Sequence, residues 1–237
     1  MSEEKDSTTA EYWTDRWKEG NTGWHRQEVN AYLIKYVDEL TGGRAKVRVF
    51  VPLCGKSVDM LWLADQGHAV IGVEVAKKAI ENFFLENNLS FTVEIVKMAA
   101  ESEPVDEYKC NEKDITIFCC NLFSVTEDDV GGRFDAIWDR GSLSAVAPAF
   151  NDNGKRYTKK MRSLLASDGN YMLESHYYEV DRGTRPPACI SEELRNEIYG
   201  EDFTIRELEV NRLEEDPSRN LSFALDLHYH LFKPKES

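Results

Sequence analysis

A chain of 237 residues is long enough to bury the core of one α/β domain, and 41% hydrophobic against 30% charged residues is the balance of a soluble globular protein. The formal net charge of −14 argues against a phosphate-binding surface, so nucleic acid is not an expected partner. No apolar run approaches the ~18 residues of a membrane span, no signal peptide opens the sequence, and the five cysteines contain no CxxC pair, so reduced thiols and a cytoplasmic location are expected.

The first residues are polar, and 1–10 reads as a tail ahead of a single domain over 1–237. Thr8 and Glu11 have the spacing of a capping box, opening a helix in which Trp13 and Trp17 share a face at i, i+4. Gly20 and Gly23 break that helix and leave Trp24-His25 in a loop. An aromatic stripe of this kind packs on a core or covers a ligand as a lid; the spacing admits both. Val29, Tyr32, Leu33, Tyr36, Val37 and Leu40 then mark a core-facing helix ended by Gly42-Gly43.

The stretch from Val47 to Val75, VRVFVPLCGKSVDMLWLADQGHAVIGVEV, organises the rest. Val47 to Val51 is a short β-branched run, the pattern of a strand buried on both faces. Pro52 stops it, Leu53-Cys54-Gly55-Lys56 forms a turn, and Ser57 caps a helix with Val58, Leu61 and Ala64 on one side. Gly67 ends the helix, and His68 to Val73 is a second strand that reaches an acid, Glu74. Strand, turn, helix, strand, acid is the first βαβ unit of a Rossmann-like sheet, in which such an acid is placed to accept from ribose hydroxyls. With Gly55 alone in the turn, S-adenosylmethionine is favoured over a dinucleotide, whose pyrophosphate needs several close-approach glycines. The plain alternative is a Glu74 that is merely solvated at a strand end.

Ala79, Ile80, Phe83 and Phe84 mark the next helix, and Phe91 to Val96 a short strand. The polar tract from Ala99 to Asp114 reads as a surface insertion. Ile115 to Cys120 is a third buried strand followed by Asn121-Leu122-Phe123, beside the crevice of a sheet of this type. Asn121 there either meets an adenine edge, with Leu122 against the ring, or simply forms a turn. Phe134 to Trp138 is a fourth strand running into Asp139-Arg140-Gly141. A guanidinium at that position suits an anionic nucleophile better than proton abstraction; its alternative is a local Asp139–Arg140 salt bridge. Tyr157, Met161, Leu164 and Leu165 indicate a helix closed by Gly169, before a strand over Asn170 to Tyr177. Ser191 caps a helix to Tyr199, and two period-two segments, Phe203 to Leu213 and Leu221 to Leu231, form an antiparallel terminal hairpin. The five histidines show no metal-ligand spacing in this reading.

Four segments in order, VFVPLCGKSVDM, GHAVIGVEV, CCNLF and FDAIWDRGSLSAV, resemble the thiopurine S-methyltransferase family, and Trp13, Trp17 and Trp24-His25 fit that family's N-terminal cap. The resemblance runs from about Glu11 to the last strand. It implies a Rossmann-like class I methyltransferase fold, α/β, with a mostly parallel seven-stranded sheet, an antiparallel C-terminal hairpin, helices on both faces and an aromatic cap. It implies methyl transfer from S-adenosylmethionine to the sulfur of aromatic or heterocyclic thiols, thiopurines included, giving S-adenosylhomocysteine, with no metal; a monomer acting on a small molecule is expected. By the same resemblance, Trp13, Trp17, Trp24, Leu53, Glu74, Asn121, Leu122 and Arg140 contact the cofactor, Trp24 and Arg140 the substrate, and Arg140 is the catalytic residue. The loop Asp181 to Ala188, with Arg182, Gly183 and Arg185, resembles the family's substrate loop. Two positions depart from the pattern: Asn121 replaces a hydroxyl residue, and a second substrate arginine falls at Asp216, with Arg219 the nearest substitute. A halide/thiol methyltransferase, a nicotinamide-dependent Rossmann oxidoreductase and a non-catalytic S-adenosylmethionine-binding protein are the rival readings.

Overall fold

The computed structural model describes residues 9–146, 153–182, 186–216 and 222–236. Its centre is a nine-stranded sheet in the order β3-β4-β5-β2-β1-β6-β7-β9-β8. The strands are β1 Arg48–Val51, β2 Ala69–Glu74, β3 Phe91–Val96, β4 Val105–Cys110, β5 Ile115–Cys119, β6 Phe134–Arg140, β7 Leu165–Tyr177, β8 Phe203–Leu213 and β9 Leu225–Pro234. Pairing is parallel from β5 through β2, β1 and β6 to β7, and antiparallel at both edges.

Side chains alternate across the central strands, so one strand feeds two cores. Val49 and Val51 pack with Leu33 and Leu40 of α2 (Ala31–Thr41), Met60 and Leu63 of α3 (Val58–Asp65), and Ile80, Phe83 and Phe84 of α4 (Lys77–Glu86). Phe50 faces the other way, among Leu143 of α5 (Ser142–Ala145), Tyr157 and Met161 of α6 (Asn153–Leu164) and Ile198 and Tyr199 of α7 (Glu192–Tyr199). Full burial of such side chains contributes about 1.5–3 kcal/mol each. Helices therefore cover both faces, as the resemblance implies.

Several local readings are corrected. The sheet has two strands beyond the expected seven: the tract read as an insertion contains β4, which pairs with β3 and β5 and extends the sheet past its parallel part. Its two buried residues, Val105 and Tyr108, lie three apart and enter the cores on opposite faces, an apolar pattern too sparse and out of period to read as a strand. The first helix, α1 (Ala10–Glu19), is capped by Thr9, whose Oγ1 accepts from Tyr12 N at 3.2 Å; Thr8 lies outside the described residues. Gly169 does not close a helix. The chain passes directly from α6 into β7 at Leu165, and Gly169 lies inside that strand at a register shift. A Cβ there would come within 2.6 Å of Leu165 Cδ1 and 3.0 Å of the Asp135 carbonyl, so the glycine permits the close approach. No helix among the described residues is long and apolar enough to cross a membrane.

Candidate active site

The turn between β1 and α3 is held from two sides. Cys54 N donates to Val73 O at 3.0 Å, tying the turn to β2. The Cys54 thiol occupies the notch left by Gly72, where a Cβ would lie 2.7 Å from Sγ. Leu53 adopts φ 44° and Gly55 φ 53°. The leucine bears a left-handed backbone that costs an L-residue on the order of 1–2 kcal/mol, a strain of the sort found at ligand sites.

Glu74 ends β2 directly beneath this turn. Its Oε2 accepts from Gly55 N at 2.9 Å and its Oε1 from Ala76 N at 2.8 Å. Burial raises its pKa above the ordinary carboxylate value, and the Ala76, Gly55 and Val75 amides oppose that rise. Above the turn lies the indole of Trp17, 2.9 Å from where a Gly55 Cβ would sit. Trp17 is buried with Ala76, the N-cap of α4, and Ala79 within it, and Trp24 packs edge-on to Trp17 and Trp13 at 5.9 and 5.2 Å. The Arg16 guanidinium lies 5.0 Å from the Trp24 ring centroid. The stripe is thus both packed and placed over the crevice.

Arg140 closes the other side from the end of β6. Its Nη2 donates to Trp24 O at 3.1 Å, and its Nε lies 3.6 Å from Glu174 Oε1 on the neighbouring strand β7. Its ionic partner is therefore Glu174, not the adjacent Asp139. Glu174 Oε2 accepts from Asn30 Nδ2 and Tyr229 OH, each at 2.6 Å, which fixes the carboxylate and through it the guanidinium. Asn30 N in turn donates to Asp59 Oδ1 at 2.8 Å, while Trp138 Nε1 donates to Asp59 Oδ2 at 2.9 Å. Asp139 points into the core, where Oδ2 accepts from Tyr157 OH and Tyr171 OH, both at 2.7 Å, and Oδ1 from Ser142 N at 3.1 Å.

A cavity of about 50 Å³ between these walls brings together Trp17, Trp24, Leu53 and Arg140 from the expected set, and adds His25 and Lys56. Burial and the Lys56 charge hold the His25 pKa down to about 4. Trp13 stands behind Trp24, and Glu74 lies under Gly55. Asn121 and Leu122 do not line this cavity: Asn121 is exposed, with Oδ1 accepting from Phe123 N at 3.0 Å, and Leu122 is buried in the core. Asp216 sits in an isolated bridge just past β8; Arg219, Gly183 and Arg185 lie outside the described residues. Arg182 packs on the Tyr178 and Phe223 rings. The residue missed in sequence is Glu174, whose signal was an acid directly after the apolar run Tyr171-Met172-Leu173 within a strand.

The sheet order, with a reversed last strand and a crevice at the carboxyl ends of β1 and β6, is that of class I methyltransferases. Solved structures agree on the fold. The N-methyltransferase NodS from Bradyrhizobium japonicum, in complex with S-adenosylhomocysteine, matches with a TM-score of 0.61 at 13% identity over 98% of this chain and 100% of that one. The Burkholderia thailandensis 1,6-didemethyltoxoflavin-N1-methyltransferase matches with a TM-score of 0.60 at 15% identity over 97% and 88%.

Sequence comparison narrows the class to a family. The family model described as thiopurine S-methyltransferase matches residues 8–231. The chain is 36% identical over 219 residues to the thiopurine S-methyltransferase of Bos taurus, covering 92% of this chain and 85% of that protein. It is 39% identical over 215 residues to a probable thiopurine S-methyltransferase of Danio rerio, covering 90% and 88%. The chain belongs to the thiopurine S-methyltransferase family.

Proposed function

We propose that this protein transfers a methyl group from S-adenosylmethionine to the sulfur of aromatic or heterocyclic thiols, thiopurines among them, releasing S-adenosylhomocysteine. The observation that supports the reading best is Arg140, a fixed cation braced by Glu174 and the Trp24 carbonyl on the wall facing the Glu74 turn.

The donor set fits the cofactor. Glu74 spends two hydrogen bonds on backbone amides and, with about four lone-pair sites on a carboxylate, retains acceptors for ribose hydroxyls. When bound, S-adenosylmethionine supplies an electrophilic sulfonium methyl. Trp13, Trp17, Leu53, Asn121 and Leu122 complete our proposed cofactor contacts, and Trp24 stacks on the substrate ring. Trp17 and Trp24 form the lid of the cavity and exclude water from the reacting groups. Arg140 stabilises the attacking thiolate, and alignment of the two reactants supplies much of the remaining rate. A thiol of pKa about 8.5 or lower ionises in the site without a dedicated base. Free thiols at all five cysteines fit the cytosol, where we place the protein, acting as a monomer.

Single-turnover transfer at saturating radiolabelled cofactor tests the reading. Arg140→Ala is expected to lose more rate than Arg140→Lys, and more with a high-pKa thiol than with one already ionised in solution. Full transfer by Arg140→Ala across that series would reduce the arginine to a scaffold.

A further inference from the structure

The hairpin β8–β9 holds a second cluster of chemistry-bearing groups, none of which lines the crevice. Glu207 and His230 are register partners across β8 and β9. His228 lies two residues from His230 and so points to the same face. His228 Nδ1 is 3.3 Å and His230 Nε2 3.5 Å from the same oxygen, Glu207 Oε2, and the donor atoms of all three side chains lie within 4.8 Å of one another. The two imidazoles stack with ring centroids 5.8 Å apart.

The second observation is a set of unmet polar atoms. His230 is 1% exposed, and neither of its ring nitrogens makes a hydrogen bond. Ser175 Oγ, on the β7 residue paired with His228, is also buried without a partner. A buried polar group left this way costs about 1–3 kcal/mol. One edge of the His230 ring faces the Glu207 carboxylate. Bonds of about 2.0–2.2 Å from a tetrahedral ion to nitrogen and oxygen set donor–donor separations of roughly 3.3–3.5 Å, the spacing both histidines have to Glu207.

We propose that Glu207, His228 and His230 bind a divalent late first-row transition ion of the zinc type, with water completing its coordination. Imidazole donors select against Mg²⁺ and Ca²⁺. Glu207, about half exposed, opens the site to solvent. The ion spans the register shift between Glu207 and Glu209 and pins the edge strand β8 to β9. The Arg195 guanidinium, whose field reaches both Glu207 and His230, weakens the affinity without contributing a ligand.

Tag-free, chelator-treated protein titrated with ZnCl2 by calorimetry tests this, with MgCl2 as the control and Co²⁺ as a spectroscopic probe. One equivalent of Zn²⁺ is expected to bind and to raise Tm, Mg²⁺ to do neither, and the Co²⁺ spectrum to lack a sulfur-to-metal charge-transfer band. His228→Gln and Glu207→Gln alter partly exposed side chains and retain the fold. Each is expected to weaken Zn²⁺ by at least the ~10–100-fold that loss of a supporting group costs and to abolish the Tm rise. Absence of stoichiometric binding by the unaltered protein, unchanged affinity in both variants, or binding that vanishes on cysteine alkylation would each overturn the site.

Discussion

Two carboxylates end neighbouring regions of the sheet and do opposite things. Glu74, at the end of β2, is held by two backbone amides and no side chain. Asp139, near the end of β6, is surrounded by two tyrosine hydroxyls and the Ser142 amide. Burial pushes both carboxyls up, and hydrogen bonds pull both down. The difference is in what each has left to give. Asp139 spends its acceptors on the core and fixes the strand from which Arg140 projects, whereas Glu74, held by backbone amides beneath the turn, keeps acceptor capacity for the ribose contact we propose. Position at a strand end does not make an acid a ligand; the identity of its donors does.

The comparison is broken most directly at Asp139. Asp139→Ala strands the Tyr157 hydroxyl in the core and is expected to cost about 3–4 kcal/mol of stability by urea denaturation. Unaltered stability with lost cofactor binding would exchange the roles of the two acids. Glu74→Ala should do the reverse. We expect S-adenosylhomocysteine affinity to fall by about 2–4 kcal/mol while stability changes by less than the Asp139 loss, because the freed Gly55 and Ala76 amides adjoin the crevice. Calorimetric affinity equal to that of the unaltered protein would remove Glu74 from the site.

The smallest effect is at His25, on the cationic wall with Lys56 and Arg140. Its pKa falls to about 4 in the folded protein, below the ~6.5 of an unfolded chain. The unfolded state therefore binds the proton first, and the stability contribution of neutral His25, full above pH 6.5, is lost as pH falls towards 4. Between pH 7.5 and 5 the Tm of His25→Gln should drop less than that of the unaltered protein. Equal drops would mean that His25 titrates normally.

Much of this was legible in the sequence, for physical reasons that differ by element. The βαβ unit was readable because β1 is apolar on both faces and Pro52, Ser57 and Gly67 punctuate it. The family and its chemistry came from PLCGK and IWDRG, segments whose turns are tightly constrained by what packs on them. Glu174 was not legible as Arg140's partner, since cross-strand pairing joins residues distant in the chain. Nor was the Glu207–His228–His230 cluster, whose His-x-His spacing converges only on a strand and whose third member comes from another strand. Gly169 misled because a glycine after a periodic run resembles a helix end, when the crowding that requires it comes from Leu165 and Asp135.

The placing of β9 between β7 and β8 has a consequence for assembly. β8 precedes β9 in the chain and, among the described residues, pairs with no other strand, so it joins the sheet only once β9 has inserted beside β7. The same late strand delivers Tyr229 to Glu174, and Glu174 orients Arg140. Insertion of residues 225–234 thus both covers the β7 edge and adds the Tyr229 contact to the Asn30 contact that already holds Glu174, so a chain truncated before β9 would carry an exposed edge and a less firmly braced Arg140.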